Sequence, residues 1–366
     1  MLARILHITT IHPVQDTRIF KKECLSLQKA GYAVSLLAGN ANSEVIDGIQ
    51  VIGIPYATSR LKRFTAGPKA FYRYCMEHEY DVYHFHDPEF LPYGKRLAAQ
   101  GKCVIYDAHE DVPRQILAKY YLPKWLRPIL SRRFERMENG CIPHFAAVVT
   151  ATEHIANRFR PLNDRSIAIH NFPSLEEMGD LPDTMHKSER TLCYIGSITA
   201  IRGAREMLRL MEHVDGELLL GGPFSPSELQ MELEQMPGWK KTRYLGVLSR
   251  QQVVETLNEA RLGLVLLHPT INYRDAFPVK MFEYMAKGIP VVVTDVPLWR
   301  SIVEDCGCGI AVGLDDMHQM ANRVNDLLAD AGKLNTMAAN GRKAVETRYN
   351  WAPEEQKLLD LYATLI

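Results

Sequence analysis

The chain has 366 residues, 46% of them apolar and 23% charged, with 43 basic and 43 acidic side chains. That length fits two domains of about 100 to 200 residues each, and the composition excludes disordered, fibrous and disulfide-stapled classes. Zero net charge excludes a uniformly basic nucleic-acid binder, although residues 1–175 hold 23 Lys and Arg against 16 Asp and Glu and the remainder holds 20 against 27.

No apolar run reaches the roughly 18 to 20 residues of a membrane span, and the opening "MLARILHITTIHP" reads as an early strand rather than a secretory leader. The expectation is a cytosolic protein. The seven cysteines are scattered, and Cys306 and Cys308 lack zinc or redox spacing, so free thiols are expected.

In chain order, "RILHIT", "AVSLLA", "IQVIGI", "DVYHFH", "CVIYD", "AAVVTA" and "SIAIH" read as strands with helices between most of them. "TLCYIG", "ELLLG", "TRYLG", "LGLVLL", "PVVVT" and "GIAV" repeat the pattern, with helices near residues 203–214, 250–260 and 279–287. Continuous apolar strands alternating with helices predict two α/β units, each a doubly wound parallel sheet covered on both faces. The polar stretch 171–190 lacks apolar periodicity and marks the boundary. The division is therefore residues 1–172, a linker at 173–190, and residues 191–350, with the terminal helix 351–366 returning to the first domain.

Ligands of such sheets sit beyond the C-terminal strand ends, which directs attention to the loops there. After strand one, "HPVQDTRIFKKE" brings Asp16 and Arg18 to the loop and opens a helix with Ile19, Leu25 and Leu27 on its apolar stripe. Arg18 either meets a substrate or pairs with Asp16 at the helix start. "HFHDPE" supplies His84, His86 and Asp87, and "DAHED" places His109 beside Asp107, Glu110 and Asp111. His109 either bonds a sugar hydroxyl or is a structural imidazole. No His or Cys cluster reads as a metal site.

Residues 119–137 combine Trp125, Leu126, Ile129, Leu130 and Phe134 with six Lys or Arg and one Glu. Such a segment rests on an anionic bilayer, or it is a surface helix with its stripe inside. "YIGSITAIRGARE" reads as a phosphate loop, with Gly196 ending a strand and Arg202 and Arg205 at a helix start, against the alternative of two solvated arginines. In "RDAFPVKMFEYMAKGIPVVVTD", Pro278 suits a first helical position, where free amides and the dipole make a phosphate seat beside Lys280. Asp275 and Glu283 flank that seat as hydroxyl acceptors, a pattern matched by a sugar nucleotide, unless Asp275 merely caps and Glu283 is solvated.

These residues resemble the family 4 retaining glycosyltransferases of the GT-B fold over essentially the whole chain. The family's "EGFGLVLLEAMACGLPVV" is similar to "DAFPVKMFEYMAKGIPVV" here, with Asp275 and Glu283 in the places of its two acids. Arg202 takes the place of the lysine in the family's "GRLxxxKG", whereas Ser197 stands where its arginine belongs and Lys280 occupies an apolar position. The pattern "PxKxFEYMAxGxP" resembles a bacterial polysaccharide branch. "HPVQDTRI" replaces the glycine-rich first loop of many members.

The resemblance implies two facing Rossmann-like domains and metal-free transfer, without a cofactor, from a nucleotide-diphosphate sugar, UDP-linked, to a glycan or lipid-linked acceptor. It implies catalytic roles for His109, Asp275, Arg202 and Lys280. Donor binding falls to Gly196, Ser197, Arg202, Phe277, Lys280 and Glu283, and the acceptor side to Asp16, Arg18, His86 and Asp87. The rival readings are a sugar-nucleotide epimerase and a catalytically silent subunit.

Overall fold

A computed structural model describes residues 2–55, 67–119, 121–181, 190–271 and 273–366. The chain forms two compact units, Met1–Asn171 with Trp351–Ile366, and Phe172–Asn350.

The first unit is built on eight strands: β1 (Arg4–Thr9), β2 (Ala33–Gly39), β3 (Glu44–Ile46), β4 (Ile49–Ile54), β5 (Val82–Phe85), β6 (Cys103–Ala108), β7 (Ala147–Thr150) and β8 (Ser166–Ala168). Their order is β3-β4-β2-β1-β5-β6-β7-β8, parallel except for β3 on β4. That antiparallel edge departs from the all-parallel expectation. Its cause is Asp47-Gly48, where φ is 49° and 80°, the two positive values that a two-residue hairpin turn requires.

The order of connections reverses between β1 and β5, so the loops after them open on the same end of the sheet. On one face Ile5, Leu36 and Val149 pack against Ile19, Phe20 and Leu27 from the first helical segment and Trp351, Leu358 and Tyr362 from the terminal helix Trp351–Leu365. Each such fully buried large side chain contributes about 1.5 to 3 kcal/mol relative to exposure. The opposite face buries Leu6, Ile8, Phe85, Tyr106 and Phe159.

The second unit holds β9 (Thr191–Ile195), β10 (Glu217–Gly221), β11 (Thr242–Tyr244), β12 (Leu262–Val265), β13 (Val291–Thr294) and β14 (Gly309–Val312), in the order β11-β10-β9-β12-β13-β14. Every pair is parallel. The reversal falls between β9 and β12, which places the loops 196–203 and 266–278 side by side. The helices Ala204–His213, Arg250–Glu259 and Val279–Ala286 lie within a residue or two of their expected spans.

The stretch expected as a linker is in part built into this unit. Ser174 caps the helix Leu175–Met178, Phe172 and Met178 are buried, and Lys287 Nζ donates to the carbonyls of Met178 at 3.1 Å and Asp180 at 2.7 Å. Residues 182–189 of that stretch lie outside the described residues.

Candidate functional site

In the second unit β9 ends at Ile195, and Gly196 turns away with φ 139°. A Cβ on Gly196 would lie 2.2 Å from Lys280 Cε and 2.4 Å from its Nζ, so only bare backbone admits that side chain. Thr199 caps the short turn Ala200–Arg202 by accepting from the Arg202 amide at 3.2 Å, and Gly203 closes it in the left-handed region with φ 78°. Arg202 is held by the hydroxyls of Tyr194 and Tyr273. Lys280 Nζ stands 5.4 Å from the Tyr194 ring centre.

Burial, with Arg202 beside it, pulls the half-buried Lys280 ammonium down to about 8. Among the described residues neither cation is in an ion pair with a carboxylate. Two such cations at a glycine turn have the charge and geometry to attract an anion.

Pro278 is not the first helical residue. Its ψ of 109° is extended, and it precedes a helix that begins at Val279, whose amide and that of Lys280 take the free positions. Glu283 is not a solvated residue either: its side chain is 15% exposed, and its Oε1 accepts from Arg250 Nη1 at 2.7 Å, while Arg250 Nε donates to Glu177 at 2.6 Å. Arg250 carried no sequence signal, because it lies 33 residues from Glu283.

Asp275 sits exposed on the turn before the helix, and Trp299 Nε1 anchors that turn by donating to the Ala276 carbonyl at 2.8 Å. Phe277 packs its half-buried ring edge-on against Phe172, with centres 5.7 Å apart. The Ser197 carbonyl accepts from Tyr194 Oη at 2.9 Å. Arg205 turns away from the loop and pairs with Glu232 at 2.7 Å on the surface.

The first unit carries a second constellation. After β1 the chain makes a wide turn, Ile19–Cys24, in which the Glu23 amide donates to the Arg18 carbonyl five residues back at 3.0 Å. Arg18, expected on the acceptor side, is instead 3% exposed and faces Asp107. Its Nε donates to Asp107 Oδ2 at 2.9 Å, its Nη2 to Oδ1 at 2.8 Å and its Nη1 to the Ile169 carbonyl at 2.7 Å. The correction has a steric cause: a guanidinium enclosed in this way has no face left for a substrate. Asp16 pairs with the Arg18 backbone rather than its side chain, accepting from the amides of Arg18 at 2.8 Å and Ile19 at 3.0 Å.

Asp107 in turn accepts from His86 Nδ1 at 3.1 Å and His109 Nε2 at 2.8 Å. Burial opposes its charge, yet Arg18 and His109 hold it well below 3.8. Burial drives His86 down to about 4 and, together with Asp107, drives Glu23 well above 4.5. In its neutral form, with Nε2–H donated to Asp107, His109 offers Nδ1 as an acceptor. His86 is 2% exposed, and its Nε2 lies 2.9 Å from His7 Nδ1.

Two groups of possible metal ligands emerge that the sequence did not suggest. His7, Glu23, His84 and His86 form one, and His86, Asp107 and His109 the other, with ligand atoms within 4.8 Å of one another in each. Much of this donor capacity is taken up internally: His84 Nδ1 pairs with Tyr362 Oη at 2.9 Å, and Asp107 holds both His86 and His109.

His109 lines a cavity of about 540 Å³ together with His12, His86, Asp87 and Glu89. Thr9 Oγ1 and the Thr10 amide donate to Asp87 Oδ2 at 2.9 and 2.6 Å. His12, which sequence reasoning passed over, stands 5.0 Å from the His109 ring between Asp16 and Asp87. Burial opposes its protonation, but Asp16 and Asp87 outweigh burial and raise it above 6.5.

The segment 119–137 forms the helix Leu126–Asn139, with Trp125 70% and Ile129 54% exposed while Leu126, Leu130 and Phe134 are half-buried. Tyr120 lies outside the described residues. No described helix is long and apolar enough to cross a membrane.

Comparison with known proteins gives this geometry a context. A family model described as glycosyl transferases group 1 matches residues 183–344, and one described as Glycosyltransferase Family 4 matches residues 21–177. Phosphatidyl-myo-inositol mannosyltransferase of Mycolicibacterium smegmatis is 23% identical over 358 residues, covering 93% of this chain and 87% of that protein. Sucrose-phosphate synthase from Thermosynechococcus elongatus superposes with a TM-score of 0.79 at 18% identity, covering 99% of each chain. Anabaena HepE in complex with UDP and glucose superposes with a TM-score of 0.75 at 14% identity, covering 99% of this chain and 100% of that one. These likenesses show the two-sheet GT-B fold.

Proposed function

We propose, given that this chain belongs to the family 4 glycosyltransferases of the GT-B fold, that it transfers a sugar from a UDP-linked donor to a glycan or lipid-linked acceptor in cell-surface polysaccharide assembly. The observation that carries this reading is a pair of cations without a carboxylate ion pair among the described residues, Lys280 against the bare backbone of Gly196 and Arg202 near it. A diphosphate at that place meets two positive side chains and the free amides of Val279 and Lys280. UDP as the bound nucleotide has support from the HepE complex.

The chemistry follows from the charges. As the bond from the sugar C1 to the diphosphate oxygen breaks, negative charge grows on that oxygen, where Lys280, Arg202 and the helix amides stabilise it without a metal. The acceptor hydroxyl oxygen forms the new bond to C1 from the same face, and its proton passes to the leaving diphosphate, so configuration is retained. Asp275 and Glu283 accept hydroxyls of the transferred sugar and the ribose respectively, with Glu283 aimed by Arg250. His109 Nδ1 takes a sugar hydroxyl on the first unit.

Calorimetric titration with UDP tests the reading. A charge-assisted hydrogen bond is worth roughly 1.5 to 3 kcal/mol, so Lys280→Met and Arg202→Met should each weaken UDP about 10- to 100-fold and reduce turnover across a panel of UDP-sugars. UDP affinity unchanged in both variants would remove the donor site from this place.

A further inference from the structure

Three imidazoles and a carboxylate meet inside the first unit. His7 on β1 and His84 on β5 are register partners in adjacent parallel strands. His86 lies two residues beyond His84 and so returns to the same face, and its amide extends the ladder by donating to the Ile8 carbonyl at 3.1 Å. The ring centres are 4.7, 5.2 and 4.8 Å apart, and Glu23 joins them from the wide turn Ile19–Cys24. His7, Glu23 and His84 are 0% exposed and His86 2%. One donor atom from each of the four lies within 4.8 Å of every other.

Buried polar atoms are ordinarily hydrogen-bonded, yet His7 Nε2, His84 Nε2 and both Glu23 carboxylate oxygens make no hydrogen bond among the described residues. Arg18 Nε stands 3.1 Å from Glu23 Oε1, which leaves Oε2, 4.0 Å from Nδ1 of His7 and of His86, on the imidazole side. The outer ring nitrogens are held from outside the group: His86 Nδ1 by Asp107 at 3.1 Å and His84 Nδ1 by Tyr362 Oη at 2.9 Å. Imidazoles that ligate a metal are held in this way, a partner on one ring nitrogen fixing the tautomer and the aim of the other.

We propose that His7, Glu23, His84 and His86 form a structural site for one divalent transition-metal ion of the zinc class. Three nitrogen donors and one carboxylate suit zinc, whereas magnesium and calcium take oxygen donors. A tetrahedral ion bonded at about 2.0 to 2.2 Å sets its donors roughly 3.4 Å apart, so the widest pair, at no more than 4.8 Å, closes by about 1.4 Å at most. Loading exchanges the hydrogen bond between His7 Nδ1 and His86 Nε2, 2.9 Å long, for bonds to the ion. With four protein donors the ion has no open position for a substrate. It ties β1, β5 and the wide turn together, and through His86 it bears on Asp107 and His109.

The full chain, grown in zinc-supplemented medium or refolded from urea with zinc, then dialysed against EDTA, should hold close to one zinc per chain by plasma mass spectrometry. A cobalt-loaded sample should show the strong visible bands of a four-coordinate ion. His84→Phe and Glu23→Gln should each lower the metal content at least tenfold, with circular dichroism checking the fold, and the milder Tyr362→Phe should weaken retention against a competing chelator about 10- to 100-fold. Two controls should keep the ion: the double change His213→Ala with His318→Ala, an exposed pair with ring centres 4.4 Å apart, and His109→Gln, which removes a ligand of the neighbouring group only. Unmodified chain without bound metal after both growth and refolding overturns the proposal, as does zinc retained in folded His84→Phe and Glu23→Gln. Metal lost from either control overturns it too, placing the ion elsewhere. Where His84→Phe or Glu23→Gln fails to fold, the content of the unmodified chain, the cobalt bands and the two controls decide.

Discussion

Replacing Arg18 with Met removes one partner of a buried pair and leaves Asp107, 0% exposed, without its cation. Three hydrogen bonds disappear together: 2.9 and 2.8 Å to the two Asp107 oxygens and 2.7 Å to the Ile169 carbonyl. Breaking a buried pair in this way costs about 3 to 5 kcal/mol, or roughly 100- to 4,000-fold in an opening equilibrium. An exposed pair such as Lys21 with Asp47, 36% and 52% exposed, is worth about 0 to 1 kcal/mol, so Lys21→Met is the internal control. Arg18→Lys should fall between them, because a lysine keeps the charge and loses the two-pronged contact. Hydrogen exchange followed by mass spectrometry reports on β1 and β6 peptides separately from the second unit, which avoids assuming a single cooperative transition. Protection of β6 reduced by less than fivefold in Arg18→Met, or equally in Lys21→Met, would refute the claim that this pair holds the first unit's strand ends together.

Binding of a UDP-sugar at pH 8.5 should take up as much as about three quarters of a proton, because the free Lys280 ammonium sits at about 8 and an adjoining diphosphate raises it; at pH 7 the uptake should nearly vanish, as titrations in buffers of different ionisation enthalpy will reveal. The effect should be absent in Lys280→Met. Gly203→Ala should destabilise the second unit by about 1 to 3 kcal/mol and weaken UDP, since the residue is left-handed at φ 78° and a Cβ would come 2.1 Å from the Leu266 carbonyl oxygen; unchanged urea unfolding would count against this. Cys306, brought down to about 7 by a hydrogen bond from Cys308 against the opposing effect of burial, should react with iodoacetamide at pH 7.5 at least about tenfold faster than Cys103, whose thiol burial raises. Peptide mapping with equal rates would reject that assignment.

The cationic turns of the second unit were legible because their parts are local. Gly196 and Arg202 lie on the turn after β9, and Pro278 and Lys280 at the start of the helix Val279–Ala286, so spacing alone places each pair. The sheet reversal then sets the two turns together. The Asp47-Gly48 hairpin was equally local and was missed, since a three-residue strand such as β3 is too short to show alternation. Arg18 could not be read in the same way. Its partner Asp107 stands 89 residues away, and the choice between Asp16 and Asp107 depends on which residue of β6 lies beside β5 and on a turn wider than an α-helix. The same holds for His7 and His84, which are register partners on β1 and β5, and for Glu283 with Arg250.

The two units treat buried charge in opposite ways, and the contrast says more about function than either site does alone. Taking an ion from water costs several kcal/mol, and a folded chain meets that cost by pairing or by neutralising the group. The first unit does both: Arg18 is matched by Asp107, while burial raises the Glu23 carboxyl and lowers the imidazoles of His7, His84 and His86, each toward its neutral form. In the second unit Lys280 and Arg202 stand together beside tyrosine hydroxyls and an aromatic face, and burial, then Arg202, lowers the lysine's affinity for its proton more than the nearby Glu283 raises it. On the proposed reading a diphosphate, with two adjacent negative centres, meets both cations at once.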